Sequence, residues 1–254
     1  MSISVTTSNQ NTNSKSENWF ESWFDTPYYH ILYKDRDYAE AQIFIDNITQ
    51  YLNLPNGAKV LDLACGKGRH SMYLNKLGYD VIGADLSENS ILEAKKSENN
   101  TLHFQVHDMR KTLSQQFDAI FNMFTSFGYF ENDADNLTTL QSIKANLSEY
   151  GFAVIDFMNV ENVIEKLIPE ETKIVDSISF LIKRYAKDGY IFKEISFQDN
   201  KNQYNFTERV RALTLQNFED LMAEAEIDLL DIFGDYKLGK FNKKTSERLI
   251  MIFK

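Results

Sequence analysis

Short apolar runs alternate with amphipathic segments over residues 58–158, and this alternation predicts the main architecture. Apolar strands are predicted, in chain order, over residues 59–64, 80–85, 102–106, 117–122 and 151–158. Helices are predicted between them, over residues 69–77, 87–97 and 133–146. Apolar strands that are separated by helices form a parallel sheet with helical crossovers. This part of the chain is therefore predicted to be an α/β fold with helices on both faces of the sheet.

The hydrophobic period changes at about residue 172. Residues 172–213 are rich in strand patterns, and the pair Asp188-Gly189 is typical of a tight hairpin turn. We expect an antiparallel β insert of three or more strands, placed after the fifth strand. A helix over residues 215–224 and strands over residues 227–233 and 248–253 follow. These last two strands bring the main sheet to seven.

The N-terminal part of the chain differs from the rest in composition. Residues 1–16 are polar and low in complexity, which predicts a disordered tail. Residues 17–57 begin with an aromatic stretch, WFESWFDTPYYHILY, and continue with a helical pattern. This segment is predicted either to form a lid over a ligand or to pack as an amphipathic helix on the edge of the sheet. Residues 58–254 then form one domain that carries the antiparallel insert.

Charge and cysteine content narrow the classes of function. The 254 residues include 37 acidic and 27 basic side chains, for a net charge of -10. Because nucleic-acid binding requires Lys and Arg to neutralise phosphates, this balance disfavours nucleic acid and favours a small-molecule or protein partner. The single cysteine, Cys65, excludes an intrachain disulfide and is typical of a reducing, cytoplasmic compartment. No apolar run approaches the ~18 residues of a membrane-spanning helix, so no membrane association is predicted.

Residues 60–87, VLDLACGKGRHSMYLNKLGYDVIGADLS, carry the main chemical signal. A strand leads into Gly66 and Gly68 and a helix follows, which leaves backbone amides at a helix N-terminus open to a ligand. Asp85 ends the next strand, 19 residues after Gly66, where a carboxylate can accept from two ribose hydroxyls. The arrangement predicts a nucleoside cofactor at the carboxyl ends of parallel strands. A dinucleotide site would have a third glycine where Ser71 stands, which disfavours a nicotinamide cofactor.

Four motifs, taken in order, resemble those of the class I S-adenosylmethionine-dependent methyltransferases. They are Asp62-Leu63-Ala64-Cys65-Gly66-Lys67-Gly68, Gly83-Ala84-Asp85-Leu86-Ser87, His107-Asp108-Met109-Arg110 and Phe117-Asp118-Ala119-Ile120-Phe121-Asn122. The resemblance extends from about residue 19 to the C-terminus. It implies a Rossmann-like, seven-stranded, mostly parallel sheet whose last strand is antiparallel. It also implies S-adenosyl-L-methionine as the cofactor, S-adenosyl-L-homocysteine as the product and a small-molecule methyl acceptor.

The resemblance gives cofactor-binding roles to residues of the first two motifs. Gly66 and Gly68 would lie against the methionine part and the ribose, in the loop that also holds Ala64. Asp62 would brace this loop or bind the cofactor's amino group through water. Asp85 would bind the ribose hydroxyls; the alternative is that this carboxylate only caps the following helix.

The later motifs would complete the cofactor site by the same resemblance. Leu86 would pack on the adenine, and Asp108 with the amide of Met109 would bind the adenine edge. Asn122 and Met123 would reach the amino end of the methionine part.

The acceptor side is predicted from the chemistry of methyl transfer. A sulfonium carries positive charge, so aromatic faces suit its surroundings. His30 and Tyr33 of the aromatic N-terminal segment, with Tyr129 after the fourth strand, are the candidate catalytic residues, and His30 is the candidate base. Phe127 faces either the acceptor or the core. Arg211 either meets an acceptor carboxylate or pairs with a surface acid.

Several alternatives remain open at the level of the sequence. A nicotinamide-dependent oxidoreductase and a non-catalytic protein that binds a nucleoside cofactor share parts of the pattern. A DNA-base amino methyltransferase would have two prolines in the segment 122–125, which reads NMFT. His103 and His107 lack a set of metal ligands around them, so no metal is predicted. The insert is expected to roof the acceptor pocket or to form a homodimer contact.

Overall fold

The computed structural model describes residues 23–24, 26–34, 38–130 and 132–254. Within these residues the strands are β1 (Lys59–Leu63), β2 (Asp80–Asp85), β3 (Leu102–Val106), β4 (Phe117–Asn122), β5 (Leu147–Met158), β6 (Glu170–Val175), β7 (Ile178–Lys187), β8 (Tyr190–Asp199), β9 (Asn202–Arg211), β10 (Leu229–Phe233) and β11 (Arg248–Phe253). The helices of the same ranges are α1 (Pro27–Leu32), α2 (Tyr38–Tyr51), α3 (Arg69–Lys76), α4 (Glu88–Ala94), α5 (Asp133–Ala145), α6 (Val160–Glu165) and α7 (Leu215–Glu224).

Seven strands form the main sheet in the order β10-β11-β5-β4-β1-β2-β3. Strands β1 to β5 run parallel, and β11 pairs antiparallel with β5, from Arg248 opposite Met158 to Phe253 opposite Ala153. The predicted Rossmann-like fold, with its antiparallel last strand, is confirmed. The chain moves outward from β1 to β3 and then returns to the other side of β1 at β4. Open α/β sheets bind ligands at such a reversal, outside the carboxyl ends of the strands.

Two apolar layers cover the two faces of the main sheet. Strand residues alternate between them, so that Ile120 of β4 packs with α5 and α7, while Phe121 packs with α2, α3 and α4. Helix α5 contributes Leu140 and α2 contributes Phe44, both fully buried. The helices on both faces are therefore held by the core that fixes the strand ends. In the described part of the chain no helix is both long enough and apolar enough to cross a bilayer.

The antiparallel insert is a separate four-stranded sheet, β6-β7-β8-β9, spanning residues 170–211. The predicted hairpin turn Asp188-Gly189 joins β7 to β8, and both residues have left-handed φ values of 52° and 76°. Asn200-Lys201 joins β8 to β9 with φ values of 47° and 68°. The insert was expected to have three or more strands, and the fold has four.

The N-terminal segment supplies two helices with different partners. Helix α1, with Trp23 before it, packs against apolar residues of the insert such as Phe180 and Ile195. Helix α2 packs on the main sheet. The expected disordered tail, residues 1–16, lies outside the described residues.

Two elements differ from the sequence prediction. Strand β5 begins at Leu147 rather than at residue 151, and the short helix α6 was not predicted.

Candidate active site

A cavity of about 540 Å³ opens at the carboxyl ends of β1 to β4 and is bounded on its other side by the region of α1. Most of the residues predicted from the sequence line it. These residues are His30, Tyr33, Asp62, Ala64, Gly66, Asp85, Leu86, Asp108, Met109, Met123 and Tyr129. The strand ends and the aromatic N-terminal segment thus meet at one cavity, although they are far apart in sequence.

The loop after β1 is built from left-handed backbone. Ala64, Gly66 and Gly68 have φ values of 66°, 56° and 77°. The amides of Ala64 and Cys65 both donate to the carbonyl of Ala84 at 2.7 and 3.0 Å, which ties the loop to β2. A Cβ at Gly66 would meet no protein atom within 4 Å. Gly66 therefore leaves open space on the cavity side, as a backbone cradle for a ligand requires.

Gly68 packs closely against β3. A Cβ at Gly68 would lie 2.3 Å from Cε1 of Phe104 on β3. Gly68 forms the N-cap of α3 and is not part of the cavity lining. The predicted contact of Gly68 with the cofactor stays a prediction.

Asn122 also lies outside the cavity lining. Its side chain is 1% exposed, and Nδ2 donates to the carbonyl of Leu63 at 3.1 Å. It braces the end of β1 from below. The neighbouring Met123 does line the cavity. Of the predicted pair, Asn122 therefore supports β1 and Met123 forms part of the cavity wall.

Asp85 presents an oriented carboxylate to the cavity. Oδ2 accepts from the amide of Gly66 at 2.7 Å, and Oδ1 accepts from the amide of Ser87 at 2.9 Å. The N-cap of α4 is Ser87, whose Oγ accepts from the amide of Ser90 at 3.0 Å. Ser87 is thus the N-cap of this helix, and Asp85 accepts from the amide of that N-cap residue.

Asp62 is a buried carboxylate beneath the loop. The hydroxyl of Ser71 donates to its Oδ2 at 2.6 Å. Burial raises the pKa of Asp62 to about 6, although the hydrogen bond from Ser71 opposes the shift. Ser71 occupies the position of the missing third glycine and fixes the carboxyl of Asp62, a role that the sequence did not reveal. Burial also raises the pKa of the Cys65 thiol well above its usual value, so this cysteine is not an activated nucleophile.

Asp108 is held by a guanidinium that the prediction left without a role. Arg110 donates from Nε to Oδ1 of Asp108 at 3.0 Å and from Nη2 to Oδ2 at 2.7 Å. The side-chain hydrogen bond from Arg110 lowers the pKa of Asp108, which keeps this carboxylate ionised. Arg110 also donates to Asp135 at 3.2 Å and lies 5.3 Å from the ring centroid of Phe130. Both Arg110 and Phe130 line the cavity.

Aromatic side chains cover the side of the cavity opposite the strand ends. The ring of Phe24 contacts Tyr29 and Tyr129 edge-on, with centroids 5.0 and 5.4 Å apart. His30 also lines the cavity and packs edge-on against Tyr29 at 5.4 Å. Helix α1 therefore lines the cavity, as a lid would, and packs on the insert, whereas α2 packs on the main sheet.

Tyr33 joins α1 to the insert. Its hydroxyl donates to Oε1 of Glu208 at 2.6 Å and accepts from the ammonium of Lys193. Trp23 donates from Nε1 to the same Oε1 at 2.7 Å. The Lys193 ammonium also lies 4.4 Å from the ring centroid of Tyr33. These contacts give Tyr33 a structural role in the roof of the cavity.

The segment after β4 forms a strained wall. Phe124 and Thr125 have consecutive left-handed φ values of 59° and 61°, a conformation that is unfavourable for side chains with a Cβ. Asp156, which is 0% exposed, accepts from the amide of Phe124 at its Oδ2 and from the amide of Thr125 at its carbonyl, at 2.8 and 2.9 Å. Arg248 donates from Nε to Oδ1 of Asp156 at 2.7 Å. The ring of Phe124 stacks on His70 at 4.5 Å, so this wall is rigidly placed.

The positions of Phe127 and Arg211 decide between the alternatives that the sequence left open for each of them. Phe127 is fully buried and contacts Phe218 at a centroid distance of 5.5 Å, so it belongs to the core. Arg211 donates to both carboxylate oxygens of Asp133 at 3.0 and 2.8 Å. It pairs with an acid and does not line the cavity.

Comparison with known proteins agrees with this site. A family model described as a methyltransferase domain matches residues 60–151. A glycine/sarcosine N-methyltransferase of Aphanothece halophytica is 26% identical over 171 residues, covering 65% of this chain and 61% of that protein. A dTDP-3-amino-3,4,6-trideoxy-alpha-D-glucopyranose N,N-dimethyltransferase of Streptomyces venezuelae is 32% identical over 133 residues, covering 50% of this chain and 54% of that protein.

The fold is also found among solved structures. An S-adenosylmethionine-dependent methyltransferase from Clostridium acetobutylicum ATCC 824 superposes with a TM-score of 0.76 at 21% identity, covering 89% of this chain and 95% of that one. The matched family, the relatives and the sheet order agree with the motifs at the strand ends. Together they indicate a class I S-adenosylmethionine-dependent methyltransferase.

Proposed function

We propose that this chain transfers the methyl group of S-adenosyl-L-methionine to an amine nitrogen of a small molecule. The observation that carries the proposal is one cavity with oriented carboxylates on its strand side and aromatic rings on its other side. Methylation of a neutral amine keeps a positive charge in the site from donor to product. Aromatic faces stabilise such a charge without binding it in one place. The similar Streptomyces venezuelae protein is itself an N,N-dimethyltransferase.

The residues at the strand ends fit the cofactor. Gly66 leaves open backbone, and the Asp85 carboxylate, held by two amides, would accept from the ribose hydroxyls. Asp108 is kept ionised by Arg110, which suits an acceptor for an exocyclic amino group. When bound, the cofactor supplies an activated methyl group on a sulfonium. The chain's residues bind and orient the two reactants and exclude water.

The acceptor would lie between the strained wall and the aromatic rings. Phe124 and Tyr129 line the cavity on the side of β4, and Tyr29 and His30 line it from α1. We propose that these side chains align the amine with the methyl group. Because Tyr33 is engaged by Glu208 and Lys193, we expect it to position the roof rather than to exchange a proton. The cytoplasmic location and the homodimer stay predictions from the sequence.

Calorimetric titration with S-adenosylmethionine, S-adenosylhomocysteine and NADH tests the cofactor site. We expect micromolar binding of the first two ligands, about -8 kcal/mol, and no binding of NADH. Asp85→Ala should lose most of this affinity, whereas Asp80→Ala at the other end of β2 should retain it. Binding of NADH alone would favour the oxidoreductase alternative.

An acceptor screen tests the transfer itself. Small amines and matched alcohols are incubated with the protein and methyl-labelled S-adenosylmethionine, and methylated products are identified by mass. Transfer to amines supports the proposal, and transfer to alcohols alone contradicts the choice of nitrogen. Tight cofactor binding with no transfer to any acceptor would favour the non-catalytic alternative.

A further inference from the structure

Both signs of charge line the cavity. Among the described lining residues the carboxylates are Asp62 and Asp85, near the carboxyl ends of β1 and β2, and Asp108, just after β3. Arg110 of the same lining is paired with Asp108. Lys67 and Arg69 line the cavity where the loop after β1 leads into α3.

A second cavity, of about 470 Å³, adjoins the first along α3. The two cavities share Lys67, Arg69 and His70 in their linings. The other lining residues of the second cavity are Gln42, Met72, Tyr73, Lys76, Glu93 and Ser97. Its volume is within the range of small-molecule sites. The three shared residues therefore lie at the junction of the two cavities.

The second cavity is positively charged in a negatively charged chain. Its described lining has three cationic side chains, Lys67, Arg69 and Lys76. The carboxylate of this lining, Glu93, is paired with Lys96 at 2.5 Å. The whole chain has a net charge of -10, so a local surplus of cations is not explained by composition. Clefts lined by one sign of charge concentrate ligands of the opposite sign.

We propose that this second cavity binds an anionic group of the methyl acceptor, a phosphate or a carboxylate. Lys67 and Arg69 would hold the group at the junction, and Lys76 would hold its outer side. The inference rests on the proposed function, because it assigns the anion to the acceptor whose amine enters the first cavity. The acceptor is then an amine that carries a phosphate or carboxylate some distance from its nitrogen.

The cofactor has a carboxylate of its own, and Lys67 and Arg69 are placed to bind that group as well. Lys76 separates the two assignments, because it lines the second cavity and not the first. Lys76→Gln is therefore the decisive variant. Lys95→Gln is the matched control, because Lys95 is exposed and lines neither cavity.

Calorimetric titration with inorganic pyrophosphate, inorganic phosphate and malonate provides the test. Each anion is titrated into the free protein and into its complex with S-adenosylhomocysteine, at 50 and 200 mM NaCl. We expect at least one anion to bind the complex, more weakly at high salt. Lys76→Gln should weaken this binding at least fivefold and change the affinity for S-adenosylhomocysteine less than twofold, and Lys95→Gln should change neither. Preference for pyrophosphate or for malonate distinguishes a phosphate from a carboxylate.

Three results would overturn the inference. They are absence of anion binding by protein that binds S-adenosylhomocysteine, an equal effect of the control variant, and equal losses of anion and S-adenosylhomocysteine affinity in Lys76→Gln. The last result would assign the cations to the cofactor. Failure to bind S-adenosylhomocysteine would contradict the proposed function instead, and the titrations of free protein would still show whether the anion site exists.

Discussion

Gly66 and Gly68 stand two positions apart in one loop, and different physical constraints require each of them. A Cβ at Gly66 would enter open space beside the cavity, whereas a Cβ at Gly68 would overlap the ring of Phe104 at 2.3 Å. Both residues have left-handed φ values. The two glycines are equivalent in the sequence motif. Their different roles become visible only from the packing of α3 on β3.

Alanine substitutions of Gly66 and Gly68 should therefore have different effects on cofactor binding and on the free energy of unfolding. We expect Gly66→Ala to cost about 1 kcal/mol of unfolding free energy, from its left-handed backbone, and to weaken S-adenosylmethionine binding more than tenfold. Gly68→Ala should cost about 2–4 kcal/mol, because overpacking adds to the backbone term. Urea denaturation and calorimetric titration measure the two quantities. Equal losses of stability in the two variants would contradict the argument.

The raised pKa of Asp62 predicts that the free energy of unfolding depends on pH. Its pKa is raised from 3.8 to about 6 by burial, so the folded state binds a proton more tightly than the unfolded state. The carboxyl thus favours folding most below pH 4, and this contribution is lost as the pH rises to about 6. The unfolding free energy of the wild type minus that of Asp62→Asn should fall by roughly 3 kcal/mol over this interval and stay constant above it.

Urea denaturation at a series of pH values between 4 and 8 measures this difference. Ser71→Ala provides a second variant, because it removes the hydrogen bond that lowers the pKa of Asp62. The fall in stability should then extend to higher pH. A difference that does not change between pH 4 and 6 would show that Asp62 has an ordinary pKa.

At the scale of elements, the parallel strands were predictable because they are short apolar runs, and β1, β2 and β4 are mostly buried on both faces. The hairpin at Asp188-Gly189 was predictable from its glycine. The turn at Asp176-Ser177 has left-handed φ values of 46° and 67° without a glycine, so it gave no local signal. Strand β5 begins early because its pairing with β4 shifts register between Phe117 and Ala119. The six-residue α6 is too short for a helical period to show.

The cofactor side of the site could be predicted from motifs, because its residues lie at strand ends and follow one another in sequence. Asp156 and Arg248 could not, because an acid within an apolar strand gives no sign of its partner 92 residues later. The contact of α1 with the insert could not be predicted from the sequence either. An aromatic stretch indicates burial, but the surface that buries it depends on the tertiary fold.

The contact between α1 and the insert predicts a local change in dynamics. Glu208→Ala removes the carboxylate oxygen that accepts from Trp23 and Tyr33, and one carboxylate close to Lys193. We expect the amides of α1 to exchange about tenfold faster with deuterium, equivalent to about 1.4 kcal/mol of local stability. Exchange in β1 to β5 should not change.

Glu194→Ala is the matched control, because Glu194 on the neighbouring β8 accepts an exposed hydrogen bond from Tyr185 and, among the described residues, none from α1. Hydrogen exchange read by mass spectrometry follows both variants. Unchanged exchange of α1 in Glu208→Ala would mean that its apolar contacts alone hold it.

At the scale of the whole molecule, one buried ion pair joins parts that are far apart in sequence. Asp156 lies near the end of β5, and Arg248 is the first residue of β11. Both form hydrogen bonds with the strained pair Phe124 and Thr125. Tyr236 donates to Asp156 at 3.2 Å, and burial raises the pKa of Tyr236, so its hydroxyl stays protonated as a donor. The C-terminal strands therefore contribute to the cavity wall without lining it.

Removal of one partner should be far more harmful than removal of both. Arg248→Met leaves the Asp156 carboxylate buried without its countercharge, and we expect a loss of about 3–5 kcal/mol of unfolding free energy. The double variant Asp156→Asn, Arg248→Met should recover part of that loss. Arg184→Met breaks the more exposed pair with Glu171 on the insert and should cost less than about 1 kcal/mol.

A double-mutant cycle by urea denaturation measures the coupling between Asp156 and Arg248. Calorimetry on the same proteins reports the affinity for S-adenosylmethionine. Because Asp156 accepts from the amides of Phe124 and Thr125, binding should weaken in Arg248→Met and stay unchanged in Arg184→Met. A stable Arg248→Met protein with unchanged affinity would show that the wall holds its shape without the ion pair, and that the C-terminal strands serve the sheet alone.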